Sequence, residues 1–283
     1  MVSVIVVSYN TKKLLESCLS SLYKYLKTLN FELIVVDNAS VDGSIEMVRS
    51  KFKEAILIEN DTNLGFAKAN NTASKVAKGQ YLIFLNSDTQ LLDNGIAEMI
   101  ELLREEESLG VLGGVLENEN KTIQKSFGSF YSVWTVVKIL FFGKQRENMI
   151  SVMQKTQLVD WVSGGFMAVK SDLFGKLEGF DEHFFMYVED MEFCFRVHRL
   201  GMRVKYFPSA RVVHVGQGSS SRTFAIVNIY AGISYFFLKH KSMVEYYVVR
   251  LFLICKAIIA IAIGHITRDT YLISTYKRSL NVL

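Results

Sequence analysis

Half of the 283 residues are apolar and 21% are charged, which predicts a packed globular protein and argues against intrinsic disorder. The chain is long enough for one large α/β domain or two smaller ones. Its net charge of +4 is small, and we expect no nucleic-acid partner. The cysteines Cys18, Cys194 and Cys255 are odd in number and scattered, which fits a reducing compartment and argues against a disulfide or zinc framework.

Charge is unevenly distributed along the chain. Residues 222–283 contain eight Lys or Arg and two acidic residues, so residues 1–221 carry a net charge of −2. This asymmetry predicts a main domain over residues 1–221 and a separate basic, apolar C-terminal tail over residues 222–283. The N-terminal MVSVIVVSYN lacks a basic n-region and a small-residue cleavage site, so we interpret it as a strand rather than a signal peptide.

The first 115 residues alternate between strand and helix patterns. The runs VSVIVVS, FELIVVD, AILIE, QYLIFLNSD and GVLGGVL predict buried strands. Helices are predicted from about Thr11, after the candidate caps Ser40 and Asp42, in GFAKANNTASKVAKG up to Gly79, and over about 94–107. Strands alternating with single helices predict an α/β fold with a doubly wound, mostly parallel sheet.

Polar residues follow the predicted strands at their carboxyl ends, where ligands bind in such sheets. They are Ser8, Tyr9 and Asn10 after the first strand, Asp37 after the second, and Asn86, Ser87 and Asp88 after the fourth. The first turn, SYNTKK, has no G-x-G-x-x-G pattern, and the chain has no G-x-x-x-x-G-K-[ST] loop. A bound diphosphate would therefore need another means of support, and a divalent cation on Asp88 is the natural one.

Seven blocks of sequence together resemble one enzyme family. They are VSVIVVSYN, ELIVVDNASVDGS, DTNLGFAKANN, YLIFLNSDT, DWVSGGFMAVKSDLF, GFDEHFFMYVEDMEFCFRVHRLG and VVHVGQGSS. In this order they are similar to family 2 glycosyltransferases, most of all to the rhamnosyltransferase-like branch that builds bacterial surface polysaccharides. The resemblance covers about residues 2–221. It implies a GT-A fold with a nucleotide-binding half (1–115) and an acceptor or catalytic half (116–221), a nucleotide-sugar donor, a divalent metal and inversion at the anomeric carbon.

The resemblance assigns the nucleotide-sugar site. Tyr9 is expected to stack on a pyrimidine, although a core tyrosine is the alternative. Asp37 is expected to accept the imide N–H of uracil or thymine, although it could simply form a turn. A helix N-terminus preceded by Gly65 favours anions. Lys68 on this helix is expected either to face the ribose-diphosphate or, equally well, to be a solvated surface lysine. The predicted nucleotide-sugar-binding residues are Ser8, Tyr9, Asn10, Asp37, Asn63, Gly65, Asn70, Asn86, Ser87 and Asp88.

The metal motif of the family is usually D-x-D, and here Asn86 replaces the first acid. Asp88 is then the only acidic metal ligand in the motif, and the Asn should weaken metal binding. The resemblance points to His214 as a second ligand, against the alternative of a histidine with only a hydrogen-bonding role. An oxygen and nitrogen ligand set with open positions suits Mn²⁺ or Mg²⁺.

The resemblance places the catalytic base at Asp190, which would take the proton from an acceptor hydroxyl. Adjacent carboxylates point to different faces, so at most one of Glu189 and Asp190 should reach the sugar. For Glu192 we expect only a favourable interaction with the helix dipole. Trp161, Gly164, Gly165 and Glu189 are assigned to the acceptor and sugar, with a core role as the alternative for Trp161. His183 is a weaker acid–base candidate, better explained as an exposed loop residue.

The C-terminal tail contains YYVVRLFLICKAIIAIAIGH, which Arg250 and Lys256 interrupt. Its longest unbroken apolar run, Ala257 to Gly264, is shorter than the roughly 20 residues of a spanning helix. We expect helices that lie on the inner face of the plasma membrane, so that the protein is cytoplasmic and peripheral. The alternative is a helical hairpin packed on the main domain or on a second subunit of a homodimer.

The sequence therefore predicts an inverting, metal-dependent glycosyltransferase. The acceptor is expected to be a glycan or a lipid-linked glycan, and the donor dTDP-rhamnose or, second, a UDP-hexose. An inactive nucleotide- or glycan-binding membrane protein is one alternative, suggested by Asn86. A nucleotidyltransferase is another, and the missing phosphate loop after the first strand argues against it.

Overall fold

The computed structural model of the protein describes residues 1–142, 155–216 and 221–283. The last four residues of the VVHVGQGSS block, 217–220, lie outside the described residues. The strands are β1 (Val2–Ser8), β2 (Phe31–Asp37), β3 (Ile56–Glu59), β4 (Tyr81–Asn86), β5 (Thr89–Leu91), β6 (Leu109–Glu117), β7 (Phe127–Gly128), β8 (Gln157–Leu158), β9 (Trp161–Val162), β10 (Phe166–Lys170) and β11 (Arg203–His214).

The α-helices lie between the strands and after the last of them. They are α1 (Lys12–Tyr25), α2 (Ser44–Lys51), α3 (Gly65–Ser74), α4 (Gly95–Glu105), α5 (Val133–Val137), α6 (Ser171–Lys176), α7 (Glu189–Arg199), α8 (Arg222–His240), α9 (Met243–Thr267) and α10 (Thr270–Leu280). A π-helical segment, Lys138–Phe142, continues α5.

The amino-terminal half confirms the prediction of parallel βαβ units. Strands β3, β2, β1 and β4 are neighbours in that order and all pair in parallel. The continuous β-branched runs of β1 and β2 are largely buried because helices cover both faces of the sheet. Two boundaries differ from prediction: α3 ends at Ser74 instead of Gly79, and Gly43 rather than Ser40 or Asp42 is the N-cap residue of α2, although Oδ1 of Asp42 accepts the Ser44 N–H (3.0 Å). The left-handed φ of Gly43 (82°) explains the second difference, since glycine adopts it at little cost.

The second half of the sheet departs from simple alternation. Strand β10 inserts between β4 and β6 and runs antiparallel to both, whereas β11 pairs in parallel with β6. The short β5 then pairs with the end of β11, from Thr89 opposite His214. This arrangement places the residues that follow β4 beside the last residue of β11, although 128 positions separate Asn86 from His214.

The C-terminal tail packs on the main domain, which was the alternative in the sequence prediction. Side chains of α8 and α9, including Phe236, Phe237, Val249 and Leu253, share a buried cluster with α5 and with Met191 of α7. The opposite side of α9 is exposed and apolar. The tail is therefore a layer of the fold rather than a separate unit, and one of its faces remains available.

Candidate active site

A cavity of about 610 Å³ opens at the carboxyl ends of β1, β2 and β4. Its lining combines polar residues from the turn after β4 and the end of β11 with aromatic and aliphatic residues. The walls include Tyr9, Asn38, Asn63, Gly65, Asn86, Ser87, Asp88, Lys125, Tyr131, Trp161, Gly164, Gly165, Phe185, Glu189, Asp190, His214, Phe224 and Ile229. A cavity of this size, lined by both polar and apolar side chains, is suited to a ligand that has a polar part and a less polar part.

Asp88 and His214 form the candidate metal site. The Oδ1 atom of Asp88 lies 3.2 Å from Nε2 of His214, and Nδ2 of Asn86 is 3.2 Å from the same nitrogen. Two ligands in adjacent octahedral positions, each about 2.1 Å from a metal such as Mg²⁺, would stand about 3 Å apart. The observed pair fits that requirement. Among residues 1–142, 155–216 and 221–283, no third His, Cys, Asp or Glu joins them, which leaves ligand positions for substrate oxygens.

Asp190 lies at the start of α7 and is held by backbone donors. Its Oδ2 accepts a hydrogen bond from the Gly164 N–H (3.0 Å), and its Oδ1 accepts one from the Met191 N–H (2.7 Å). Burial raises the pKa of Asp190, while these two bonds oppose the shift. The carboxylate is thus fixed in orientation and has a pKa above its ordinary value, as a general base requires.

Glu189 differs from Asp190 in its surroundings. The residue is buried, and its Oε2 has no hydrogen-bond partner in the described structure. Burial first, and then the negative charge of Asp190, raise the pKa of Glu189 well above its ordinary value. Only Asp190 receives hydrogen bonds from Gly164 and Met191, so its charged form is the better stabilised of the two carboxylates.

The glycine pair Gly164–Gly165 contacts both Asp190 and Asn86. A Cβ on Gly164 would lie 3.0 Å from the Phe66 ring, and one on Gly165 would lie 3.1 Å from Nδ2 of Asn86. The Gly165 carbonyl also accepts a hydrogen bond from the Asn86 N–H (3.1 Å). Because neither residue has a side chain, the loop can pack closely against Phe66 and Asn86. Asp190 and Asn86 are thereby placed on the same cavity wall.

The turn before α7 is strained. Tyr187 and Val188 both have left-handed φ values, 68° and 73°, which non-glycine residues seldom adopt and which cost about 1–3 kcal/mol each. Helix α8 packs directly on this turn, because a Cβ at Gly232 would lie only 2.9 Å from Val188. The C-terminal tail thus supports the conformation that presents Glu189 and Asp190.

A family model for glycosyl transferase family 2 matches residues 3–174, which is more than half of the chain. The chain belongs to glycosyl transferase family 2. Curated relatives are similar over much of their length. An N-acetylglucosaminyl-diphospho-decaprenol L-rhamnosyltransferase of Mycobacterium tuberculosis is 24% identical over 247 residues, covering 77% of each chain. Rhamnosyltransferase WbbL of Escherichia coli K12 is 28% identical over 160 residues, covering 53% of this chain and 60% of its own. The protein is accordingly a rhamnosyltransferase-like glycosyltransferase.

Solved structures confirm the GT-A fold. The mannosyltransferase PcManGT from Pyrobaculum calidifontis, in complex with GDP-Man and Mn²⁺, superposes with a TM-score of 0.60 at 18% identity, over 99% of this chain and 74% of its own. Staphylococcus aureus TarS (residues 1–349) with UDP-GlcNAc gives 0.59 at 17% identity, over 100% and 79%. Both were solved with nucleotide sugars, and at these identities the likeness establishes the fold alone.

The structure of this glycosyltransferase collects most of the residues predicted for its site. Within the described residues, the cavity wall includes the predicted residues Tyr9, Asn63, Gly65, Asn86, Ser87, Asp88, Trp161, Gly164, Gly165, Glu189, Asp190 and His214. Trp161 lines the cavity, packs against the neighbouring buried side chains, and donates its Nε1–H to the Ser129 carbonyl (3.1 Å).

Four predicted residues are not part of the cavity wall. Ser8 is buried and shares a hydrogen bond with Thr11 (3.0 Å). Asn70 is buried inside α3, where its Nδ2 donates to the Phe66 carbonyl. Asn10 accepts the Val41 N–H and so braces two loops. Asp37 is also outside the lining, directly beside Asn38, which forms part of it.

The expectation that the start of α3 binds an anion is wrong for its first two N–H groups. The Gly65 N–H donates to Oδ1 of Asn63 (3.0 Å) and the Phe66 N–H donates to the Phe185 carbonyl (2.7 Å). Gly65 is needed here because its φ is 78° and a Cβ would lie 2.2 Å from the Phe185 oxygen. Lys68 is exposed and outside the cavity wall.

A helix-dipole role alone was the wrong explanation for Glu192. Its carboxylate is fully buried and accepts hydrogen bonds from Arg196, Lys239 and His240. It therefore ties α7, which begins with Glu189 and Asp190, to the end of α8. His183, by contrast, is exposed as expected and pairs with Asp181.

The sequence prediction missed several residues of the wall. Tyr131 and Lys125 come from the segment after β6, and Phe224 and Ile229 come from α8. Burial first, and then the charge of Asp190, raise the pKa of the Tyr131 hydroxyl. The apolar pattern of α8 could have indicated burial, but only the tertiary packing shows that it faces this cavity.

Proposed function

We propose that this glycosyltransferase moves one sugar, with inversion, from a pyrimidine-nucleotide donor to a lipid-linked glycan acceptor. The observation that supports this most strongly is the convergence of Asp190 with Asp88 and His214 on one cavity wall. A single oriented carboxylate on the wall of a sugar site serves as a base for direct displacement. Direct displacement at the anomeric carbon gives inversion.

Asp190 would accept the proton of the acceptor hydroxyl as that oxygen attacks the anomeric carbon. The bonds from Gly164 and Met191 hold the carboxylate in place before the substrate arrives, which reduces reorganisation during the reaction. Glu189 lies beside it, and its buried Oε2, which has no hydrogen-bond partner in the described structure, is available to a sugar hydroxyl group. Two adjacent carboxyl groups thereby take different roles, one as the base and one in binding the sugar.

Asp88 and His214 would hold the divalent cation, Mn²⁺ or Mg²⁺. When bound, such an ion neutralises charge on the departing diphosphate. The 3.2 Å separation of the two ligand atoms supports this assignment. Asn86 contributes its amide to the same site without adding negative charge, and Ser87 follows it on the cavity wall.

Asp37 and Tyr9 support a pyrimidine base in the donor. The Oδ1 of Asp37 accepts the Ser40 N–H (2.7 Å), but its Oδ2 is buried without a hydrogen-bond partner in the described structure. A buried acceptor of this kind requires a donor, and the imide N–H of uracil or thymine would supply it. Tyr9, on the cavity wall, could stack on the same base. We favour dTDP-rhamnose, with a UDP-hexose second, because rhamnosyltransferases are among the relatives.

The exposed side of α9 supports a membrane-bound acceptor. Val244, Tyr247, Leu251 and Ile258 are at least half exposed on this side, and α9 is long and apolar enough to cross a membrane. Arg250 and Lys256 make a position on the surface more favourable than one across the bilayer. We therefore propose peripheral attachment to the inner face of the plasma membrane; a homodimer remains a prediction.

Thermal-shift measurements with nucleotide diphosphates, with and without Mn²⁺, test the donor and metal assignments. We expect UDP or dTDP to raise the melting temperature in a metal-dependent manner. The Asp190→Asn variant should retain this shift and lose sugar transfer, while the exposed Asp172→Asn control retains both. An active Asp190→Asn enzyme would refute the base assignment, and no shift with any pyrimidine diphosphate would favour an inactive protein.

A further inference from the structure

Gln124 lies on a short hairpin that follows β6 and folds back beside the end of β11. Its backbone N–H donates to the Leu116 carbonyl (2.8 Å), and Glu117 bridges to Ile123 within the same hairpin. The position of Gln124 is thus set by main-chain bonds to the central sheet. Its side chain extends toward His214.

The orientation of the Gln124 amide follows from its neighbours. Its Nε2 is 2.8 Å from the main-chain oxygen of His214 and 2.8 Å from Oδ1 of Asn118. A main-chain carbonyl can only accept hydrogen bonds, so the NH₂ group must occupy this position. Nδ2 of Asn118 donates to Thr122, which fixes that amide in the matching orientation. The Gln124 oxygen therefore points to Nδ1 of His214, 2.7 Å away.

This contact determines which imidazole nitrogen carries the proton. An amide oxygen only accepts, so Nδ1 of His214 must donate and carry hydrogen. In a neutral ring the lone pair then resides on Nε2. That nitrogen faces Oδ1 of Asp88 and Nδ2 of Asn86, each at 3.2 Å.

We infer that Gln124 is a positioning residue that holds His214 in the Nδ1–H tautomer, with the Nε2 lone pair directed toward Asp88. The Nε2 lone pair of His214 and Oδ1 of Asp88 then face one another at 3.2 Å, a separation that suits two ligands of one divalent cation. This inference rests on the proposed metal site. It also supplies a reason why a motif with only one acid could still bind a metal, because a fixed tautomer raises the fraction of rings ready to coordinate.

The ring nitrogens of His214 can be observed directly by ¹⁵N NMR of the metal-free, histidine-labelled enzyme, with His214→Asn used to assign the signals. Wild type should show a protonated Nδ1 and an unprotonated Nε2. Gln124→Met, which is similar in size but has no strong acceptor, should shift the ring toward the Nε2–H tautomer.

Mn²⁺ affinity, measured by EPR of the free ion, gives an independent readout. Gln124→Met should weaken Mn²⁺ binding by about 10–100-fold. The matched control is Gln90→Met, an exposed glutamine on β5 opposite Val213 of β11, which should bind Mn²⁺ as wild type does.

The outcomes separate this inference from the proposed function. An unchanged tautomer and a Mn²⁺ affinity within twofold of wild type in Gln124→Met would overturn the role of Gln124. A wild-type ring protonated at Nε2 would overturn it as well. If the nitrogen signals respond as expected but wild type binds no Mn²⁺, Gln124 sets the tautomer and the metal dependence of the proposed function is wrong.

Discussion

Replacing Glu192 by Gln tests whether the C-terminal helices are part of the catalytic fold. Glu192 is fully buried and its carboxylate contacts Arg196 on α7 together with Lys239 and His240 at the end of α8. Gln preserves the volume but removes the negative charge, so Arg196 loses its counter-ion and Lys239 keeps only Asp181. The substitution therefore acts on the connection between α7 and α8 with little change in packing.

The expected loss can be worked out from the partners that remain. Removing one member of a buried ion pair costs about 3–5 kcal/mol. Arg196 keeps its bonds to the Leu177 and Gly179 carbonyls, and Lys239, whose side chain is 33% exposed, keeps Asp181. The lower value, about 3 kcal/mol, is therefore appropriate, and for a chain of this size it lowers the melting temperature by about 6–12 °C.

Thermal unfolding followed by circular dichroism provides the measurement, with Glu101→Gln as the control. Glu101 pairs with Arg104 on the surface of α4, and such pairs contribute about 0–1 kcal/mol. A melting temperature of Glu192→Gln within about 2 °C of wild type would refute the reasoning.

The same variant has a pH signature. Burial by itself would raise the pKa of Glu192, but the bond from His240, the charge of Arg196 and the contact with Lys239 lower it overall. A lowered pKa in the folded state stabilises the fold above the ordinary value of 4.5, and this contribution disappears as the pH falls through the folded-state pKa. Glu192→Gln should therefore lose less stability than wild type on acidification.

Three further predictions concern the donor, the base and the tail. Asp37→Asn should fold normally and weaken UDP or dTDP binding by about 10–100-fold, the equivalent of one hydrogen bond to a charged group; calorimetric titration measures this, and an unchanged affinity would exclude Asp37 from base recognition. Because burial raises the pKa of Asp190 above 3.8, kcat should fall on acidification at a pH above that value, and a rate that is constant down to pH 4 would contradict a buried base. Truncation after residue 221 should give an aggregated or inactive protein, since the apolar cluster under α8 and α9 would be exposed; a soluble, active fragment would show the tail to be separate.

The alternation of apolar strand runs with helix patterns was enough to predict most of the first half of the fold. Strands such as β1 and β4 are continuous β-branched or apolar runs, and this local signal survives folding because both faces of the sheet are covered. The turn residues that follow them, Asn86 to Asp88 among others, were placed at the correct edge because parallel strands all end there. Motif order then identified the enzyme family from sequence alone.

Other features depended on pairings between distant segments. Strand β10 has no local property that predicts insertion between β4 and β6. Gln124 belongs to a polar segment that resembles an ordinary loop, and its role emerges only where β6 and β11 end together. The buried network around Glu192 could not be predicted from the sequence either, because acidic residues at the start of a helix are common for electrostatic reasons.

The sequence by itself determined the α/β class, the family, the candidate base Asp190 and the candidate ligands Asp88 and His214. The class follows from the alternation of strand and helix patterns, and the family from seven blocks in order. Asp88, Asp190 and His214 each lie within one of these blocks. Tertiary structure alone decided that α8 forms part of the cavity wall and supports the strained turn before Asp190. It also decided how Gln124 holds His214. The physical reason is that hydrophobic burial is non-directional: an apolar helix is equally suited to a membrane, a partner or its own domain, and only the shape of the surface it meets selects among them.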